Sequence, residues 1–202
     1  MKLLLTSAGL ENKKVADFFL SILPKPPEKC SLLMVAYAQD NEEISWVEEG
    51  KKELSDLGFT NLHFFNLSEK KFDWQSENFE VIFVFGGGTF DILERMRITG
   101  IDKAIKDYVR NRGAVYFGIS ASSIIAGPDI EIAGWGSDPD ENDIGLQDLT
   151  GLGLTDIAVF PHFKTQQKDE VEEFRKKVNY PVIGLTDNEA IFVDDTGYKI
   201  IR

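Results

Sequence analysis

The sequence predicts an α/β domain built on a mostly parallel sheet, and three observations carry that expectation. Short apolar runs alternate with amphipathic helical patterns along the chain, the order produced by strands joined through crossover helices. Runs such as residues 31–37 and 80–85 are apolar on both faces, as expected of central parallel strands. There is no internal repeat, low-complexity tract or interdomain linker, so the 202 residues form one domain, 1–202, with ample apolar content for a core.

Residues 3–6 are the first strand. After Ser7-Ala8-Gly9 the residues Val15, Phe18, Phe19 and Ile22 fall on one helix face, and Pro24, Pro26 and Pro27 stop that helix because proline lacks the amide it needs. Residues 31–37 follow as a strand, with Cys30 at its core edge. Ile44, Val47, Gly50, Leu54 and Leu57 then recur at helical spacing between acidic residues, and Gly58 suits the left-handed position that ends a helix. Residues 61–67 are the third strand. Residues 80–85 are the fourth, running directly into Gly86-Gly87-Gly88-Thr89 and a helix over 90–97. Ile101, Ala104, Ile105, Tyr108 and Val109 give the clearest helical stripe, ended by Gly113 before a strand at 114–117.

From 127 to 153 the helical period disappears, and Trp135-Gly136-Ser137-Asp138-Pro139-Asp140 has the composition of a loop or hairpin. Long loops in compact domains tend to be functional. A strand at 157–160 ends in Pro161-His162-Phe163, and a helix bearing Val171, Phe174 and Val178 follows. Strands at 182–185 and 190–193 close the order, with Asp194-Asp195-Thr196-Gly197 as a hairpin turn.

Composition excludes several function classes. Acidic residues outnumber basic ones by 34 to 22, a formal charge of -12, so the surface repels phosphate backbones and anionic membranes and no nucleic-acid or membrane partner is expected. No apolar run approaches the roughly 20 residues of a spanning helix, and the run after Met1 is too short for a signal peptide. A cytoplasmic protein is expected. The one cysteine, Cys30, precludes an intramolecular disulfide or a multi-cysteine metal site, and nothing calls for a metal or an organic cofactor.

Chemistry concentrates in three places. In Gly118-Ile119-Ser120-Ala121-Ser122-Ser123 a strand ends and a helix begins, which holds Ser120 on a tight turn beside the amides of the new helix. The nucleophile-elbow pattern G-x-S-x-G has glycine where this chain has Ser122, and a serine that merely caps the helix is the competing reading. A serine nucleophile needs a base, and the chain offers His63 and His162. His63 lies inside the third strand and has a structural reading. His162 follows a strand, at the edge where parallel sheets bind ligands. Gly86-Gly87-Gly88-Thr89 presents amides at that same edge. It lacks the lysine of a phosphate-binding P-loop and does not match G-x-G-x-x-G, so oxyanion or substrate contact suits it better than a nucleotide.

These residues resemble the peptidase E (α-aspartyl dipeptidase) family of serine peptidases, related to cyanophycinase. Val84-Phe85-Gly86-Gly87-Gly88-Thr89-Phe90 is similar to the family's GGNTF loop, Gly118-Ile119-Ser120-Ala121-Ser122-Ser123 to its GxSAGA, and Phe160-Pro161-His162-Phe163 to its PHF or PHY. Asn188-Glu189-Ala190-Ile191-Phe192 also fits, so the resemblance spans nearly the whole chain. It implies a three-layer α/β/α sandwich of the class I glutamine-amidotransferase-like (flavodoxin-like) type, with serine in place of the nucleophilic cysteine. It also implies hydrolysis of short peptides, N-terminal Asp-X dipeptides among them, through a Ser-His-acid acyl-enzyme mechanism.

Carried over by position, Ser120 is the nucleophile and His162 the base, while Gly87, Gly88, Thr89 and Ala121 supply oxyanion and substrate contacts. For the orienting acid, Asp138 is the first choice, with Asp140, Asp143 and Glu189 as alternatives. Three departures stand out: Gly88 replaces the family's asparagine, Ser122 replaces the elbow glycine, and the arginine-containing segment after the histidine has no counterpart. Lys164, Lys168 and Arg175 are the nearby cations for an acidic side chain. A small peptide is the expected partner of a monomer or homodimer. A catalytically silent homologue binding a small carboxylate or peptide in the same cleft is the alternative.

Overall fold

Strand alternation divides the core in two. In the computed structural model, which describes residues 1–73 and 77–202, β1 (Lys2–Thr6) sends Leu3 and Leu5 to one face of the main sheet and Leu4 to the other. The same split recurs in β2 (Ser31–Ala36), β4 (Val81–Val84) and β5 (Val115–Ile119), where Leu33, Ile82 and Tyr116 oppose Leu32, Phe83 and Phe117. Two-sided burial follows from the two-residue side-chain period combined with apolar residues at every position.

Helices α1 (Lys13–Ile22) and α2 (Asn41–Asp56) cover one face through Val15, Phe19, Val47 and Leu54. The other face is covered by α3 (Thr89–Thr99), α4 (Ile101–Arg110), α5 (Ala121–Ile125) and α6 (Lys168–Arg175), through residues such as Leu93, Ile105, Ile124 and Phe174. The result is the three-layer α/β/α sandwich. Ile44, expected on the buried stripe of α2, is exposed ahead of the buried run Val47, Gly50 and Leu54.

The main sheet has seven strands, completed by β3 (Asn61–Asn66), β8 (Ala190–Asp194) and β9 (Gly197–Ile201), in the order β3-β2-β4-β5-β1-β8-β9. The first five are mutually parallel, β8 runs antiparallel to β1, and β9 returns antiparallel to β8 through the expected hairpin. The strands β6 (Ala158–Phe160) and β7 (Val182–Gly184) do not extend this sheet. They pair in parallel with each other as a second sheet, because β8 occupies the edge of β1 that a further strand would need.

Register decides where chemistry can gather. Thr6 of β1 pairs with Ile119 of β5, and Val84 of β4 with Gly118, so these three strands end nearly level. Antiparallel β8 begins at Ala190 opposite Thr6. Residues just after β1, β4 and β5 therefore share one edge with residues just before β8. No helix among the described residues is long and apolar enough to cross a membrane.

Candidate active site

Ser120 stands alone between β5 and α5 with φ 49° and ψ -112°. That backbone conformation costs a non-glycine residue about 1–3 kcal/mol, and the turn is held by three hydrogen bonds. The Ser120 amide donates to Thr6 O at 2.9 Å, and Ser120 O accepts from the amides of Ser123 and Ile124 at 2.8 and 3.2 Å. The elbow also needs glycine before it. A Cβ on Gly118 would come within 3.0 Å of Ser122 O, and one on Gly86 within 3.3 Å of Ser120 Cβ. The second contact shows that the glycine loop after β4 packs directly against the serine.

Ser120 Oγ lies 2.8 Å from His162 Nε2, and His162 Nδ1 lies 2.6 Å from Asp187 Oδ1. A carboxylate can only accept, so Nδ1 carries the proton and donates it to Asp187, which leaves Nε2 as an acceptor for the Ser120 hydroxyl. His162 itself has φ 54°, a second strained residue in the same constellation. Burial alone would raise the Asp187 carboxyl. The Ser7 hydroxyl, the His162 ring and the charge of Lys164 outweigh it and hold the group below the usual carboxylate range.

The orienting acid is thus a correction to the sequence expectation. Both ring nitrogens of His162 are taken, by Ser120 and Asp187, so none of the four candidates occupies that position. Asp138 sits on the wall of the neighbouring cavity. Asp140 accepts from the Thr89 amide at 3.1 Å and from the Thr89 hydroxyl, which fastens the long loop to the N-terminus of α3. Asp143 is exposed in that loop. Glu189 accepts from the Thr186 amide at 3.0 Å and pairs with Arg202 at 2.7 Å, closing the turn that carries Asp187. The sequence candidates bracket Asp187 without naming it: Asp138, Asp140 and Asp143 lie between the serine and the histidine, and Glu189 lies two residues beyond Asp187. The available signal was an aspartate just before the antiparallel closing strand, next to the Asn188-Glu189-Ala190 run.

A cavity of about 400 Å³ opens on this constellation, within the size range of small-ligand sites. Ser120, His162 and Asp187 form one side, Trp135, Asp138 and Asp140 of the long loop another, and Lys164 is its one lysine or arginine among the described residues. The loop is a built wall: Trp135 Nε1 donates to Glu170 O at 2.8 Å, and Arg97 donates to Asp148 O and Thr150 O, both at 2.6 Å. Thr89, expected among the substrate contacts, lines the cavity but gives both its donors to Asp140. Gly87 and Gly88 immediately precede α3, and Ala121 is the first residue of α5. His63 lies on edge strand β3, with Nε2 2.9 Å from Asn61 Oδ1. Among the described residues no group of three or more His, Cys, Asp or Glu side chains is placed to hold a metal ion.

The sequence model of peptidase family S51 matches residues 3–201. The chain belongs to peptidase family S51. Among the relatives of this S51 peptidase is the uncharacterized peptidase Lmo0363 of Listeria monocytogenes, 29% identical over 172 residues that cover 81% of this chain and 82% of that protein. Peptidase E of Escherichia coli is 37% identical over 90 residues, covering 43% of this chain and 35% of its own. A crystal structure of a Listeria monocytogenes protein named for peptidase E superposes with a TM-score of 0.77 at 26% identity, covering 100% of this chain and 98% of that one. The resemblance carried by the three motifs therefore holds, and the protein is a serine peptidase by family.

One departure from the family motifs has a physical account in this S51 member. Ser122, in the elbow-glycine position, is fully buried. Its hydroxyl lies 2.8, 2.6 and 2.9 Å from the carbonyl oxygens of Val84, Phe85 and Ile119 and accepts from the Ile119 amide at 3.2 Å. The extra side chain is thus a polar tie between elbow and glycine loop. Gly88, in the asparagine position, is the N-cap of α3 and makes no side-chain cap.

Proposed function

We propose that this peptidase hydrolyses short peptides through an acyl-enzyme mechanism in which Ser120 is the nucleophile, His162 the base and then the acid, and Asp187 the group that orients the imidazole. The observation that carries this reading is the continuous hydrogen-bonded chain from Ser120 Oγ through both nitrogens of His162 to Asp187 Oδ1, at 2.8 and 2.6 Å.

Ser120 Oγ attacks the peptide carbonyl as its proton passes to His162 Nε2, and the imidazolium is stabilised by Asp187. The carbonyl oxygen becomes an oxyanion held by amides of Gly87, Gly88 and Ala121, which lie at two helix N-termini beside the serine. Collapse breaks the C–N bond, and His162 returns its proton to the leaving amine. Water, deprotonated by His162, then hydrolyses the ester, releasing the carboxylic acid and restoring Ser120.

The walled cavity favours short peptides over folded protein. Lys164 is the cation best placed to meet an acidic N-terminal side chain, while Asp138 offers a partner for a free α-amino group. A fluorophosphonate probe tests the chemistry: it should label Ser120 in the wild type and leave a folded Ser120→Ala variant unlabelled. A correctly folded wild type that takes no label would replace this reading with a silent binder of small carboxylates or peptides.

A further inference from the structure

We propose that Ser7 is a positioning residue of this site, the single hydroxyl that locks His162 and Asp187 to one another and to the main sheet. The inference rests on the reading of Ser120, His162 and Asp187 as the reacting set. Ser7 is the first residue after β1 and is fully buried. The backbone N–H of His162 donates to Ser7 Oγ at 2.7 Å, and Ser7 Oγ lies 2.8 Å from Asp187 Oδ1.

A hydroxyl has one proton to give. The His162 amide fills one lone pair of Ser7 Oγ, so the hydroxyl proton is directed to the carboxylate, which can only accept. Asp187 Oδ1 thus receives two donors, the Ser7 hydroxyl and the His162 ring, and its position is defined by both. The tie matters because the three partners come from separate parts of the fold. His162 hangs from the small β6–β7 sheet, Asp187 precedes β8, and Ser7 ends β1. His162 also holds a left-handed backbone at φ 54°, a conformation that persists only where its surroundings enforce it. The Ser7 hydroxyl supplies an acceptor to that amide, and the preceding Pro161 has no amide of its own to contribute. The donor from Ser7 also contributes to holding the Asp187 carboxyl low against the effect of burial.

The test uses saturation kinetics of fluorophosphonate labelling, which separate the maximal rate of phosphonylation from probe affinity. The proton NMR signal of the His162 ring N–H bonded to Asp187 provides a second readout. Ser7→Ala should lower the maximal rate about tenfold to a hundredfold, the scale on which outer partners of a reactive group act, with probe affinity within about twofold. The downfield ring-proton signal should move upfield or broaden. Ser7→Cys, which fills the space with a weaker donor, should follow Ser7→Ala, whereas Ser7→Thr, which keeps the hydroxyl, should recover most of the rate. Wild-type rates and an unchanged ring-proton signal in folded Ser7→Ala or Ser7→Cys overturn the inference alone. A folded wild type that takes no label removes the underlying reading instead.

Discussion

Asp187 Oδ1 sits 2.6 Å from His162 Nδ1 although the two residues belong to segments tied to different sheets. That contact is the ground for the orienting role proposed for Asp187, and variants separate it from the acids of the long loop. Asp187→Asn should lower kcat about 10⁴-fold, because an amide stabilises the wrong imidazole tautomer. Asp143→Asn, in the exposed loop, should leave kcat unchanged. Asp138→Asn, on the cavity wall, should move KM more than kcat. Steady-state kinetics on a cleaved short peptide check all three.

Ser122 offers a test of how the elbow departs from its pattern. Ser122→Gly restores the motif but removes the hydroxyl shared among the Val84, Phe85 and Ile119 carbonyls and places glycine in a helix. The expected loss is about 1–3 kcal/mol, roughly 2–12 °C in Tm for a chain of this size. Labelling of Ser120 should persist. Thermal unfolding beside probe labelling distinguishes this outcome from a Ser122 that takes part in the chemistry.

Lys164 is expected to set preference for an acidic first residue. Lys164→Met should raise KM for an Asp-X dipeptide about tenfold or more and leave an Ala-X dipeptide nearly unchanged, since only the former loses a charge-assisted contact. Equal effects on both substrates would remove Lys164 from specificity.

Glu80 gives a pH-dependent stability test away from the site. Burial alone would raise its carboxyl, but Lys25 at 2.6 Å and the Ser31 amide at 2.8 Å more than offset it, so the group lies below its ordinary value. A depressed folded-state value means stabilisation that is fully present above the unfolded pKa of about 4.3 and lost as pH falls through the folded value. Glu80→Gln should therefore cost about 1–3 kcal/mol near neutrality, with the gap to wild type closing below about pH 4. Denaturant unfolding across that range measures it.

Much of the fold and half of the site were legible in the chain order. The strands β1, β2, β4 and β5, their covering helices, the β8–β9 hairpin and the Ser120 elbow are all local patterns: apolar runs, a 3.6-residue period, or a glycine before a forced turn. Gly86-Gly87-Gly88 and His162 were legible for the same reason, each following a strand. The second sheet was not, since apolar runs 158–160 and 182–184 carry no mark of which strand they will pair with.

What the sequence by itself determined is which residues end strands and open helices, and with that the serine, its histidine and the glycine loop. Tertiary structure alone decided that Asp187, and not an acid between serine and histidine, completes the constellation, and that Ser7 joins it. The physical reason is strand direction. A parallel sheet gathers the residues after its strands, and the antiparallel β8 brings to that edge the residues before it. Pairing of Thr6 with Ala190 places the turn carrying Asp187 beside Ser7, 180 positions away in the chain.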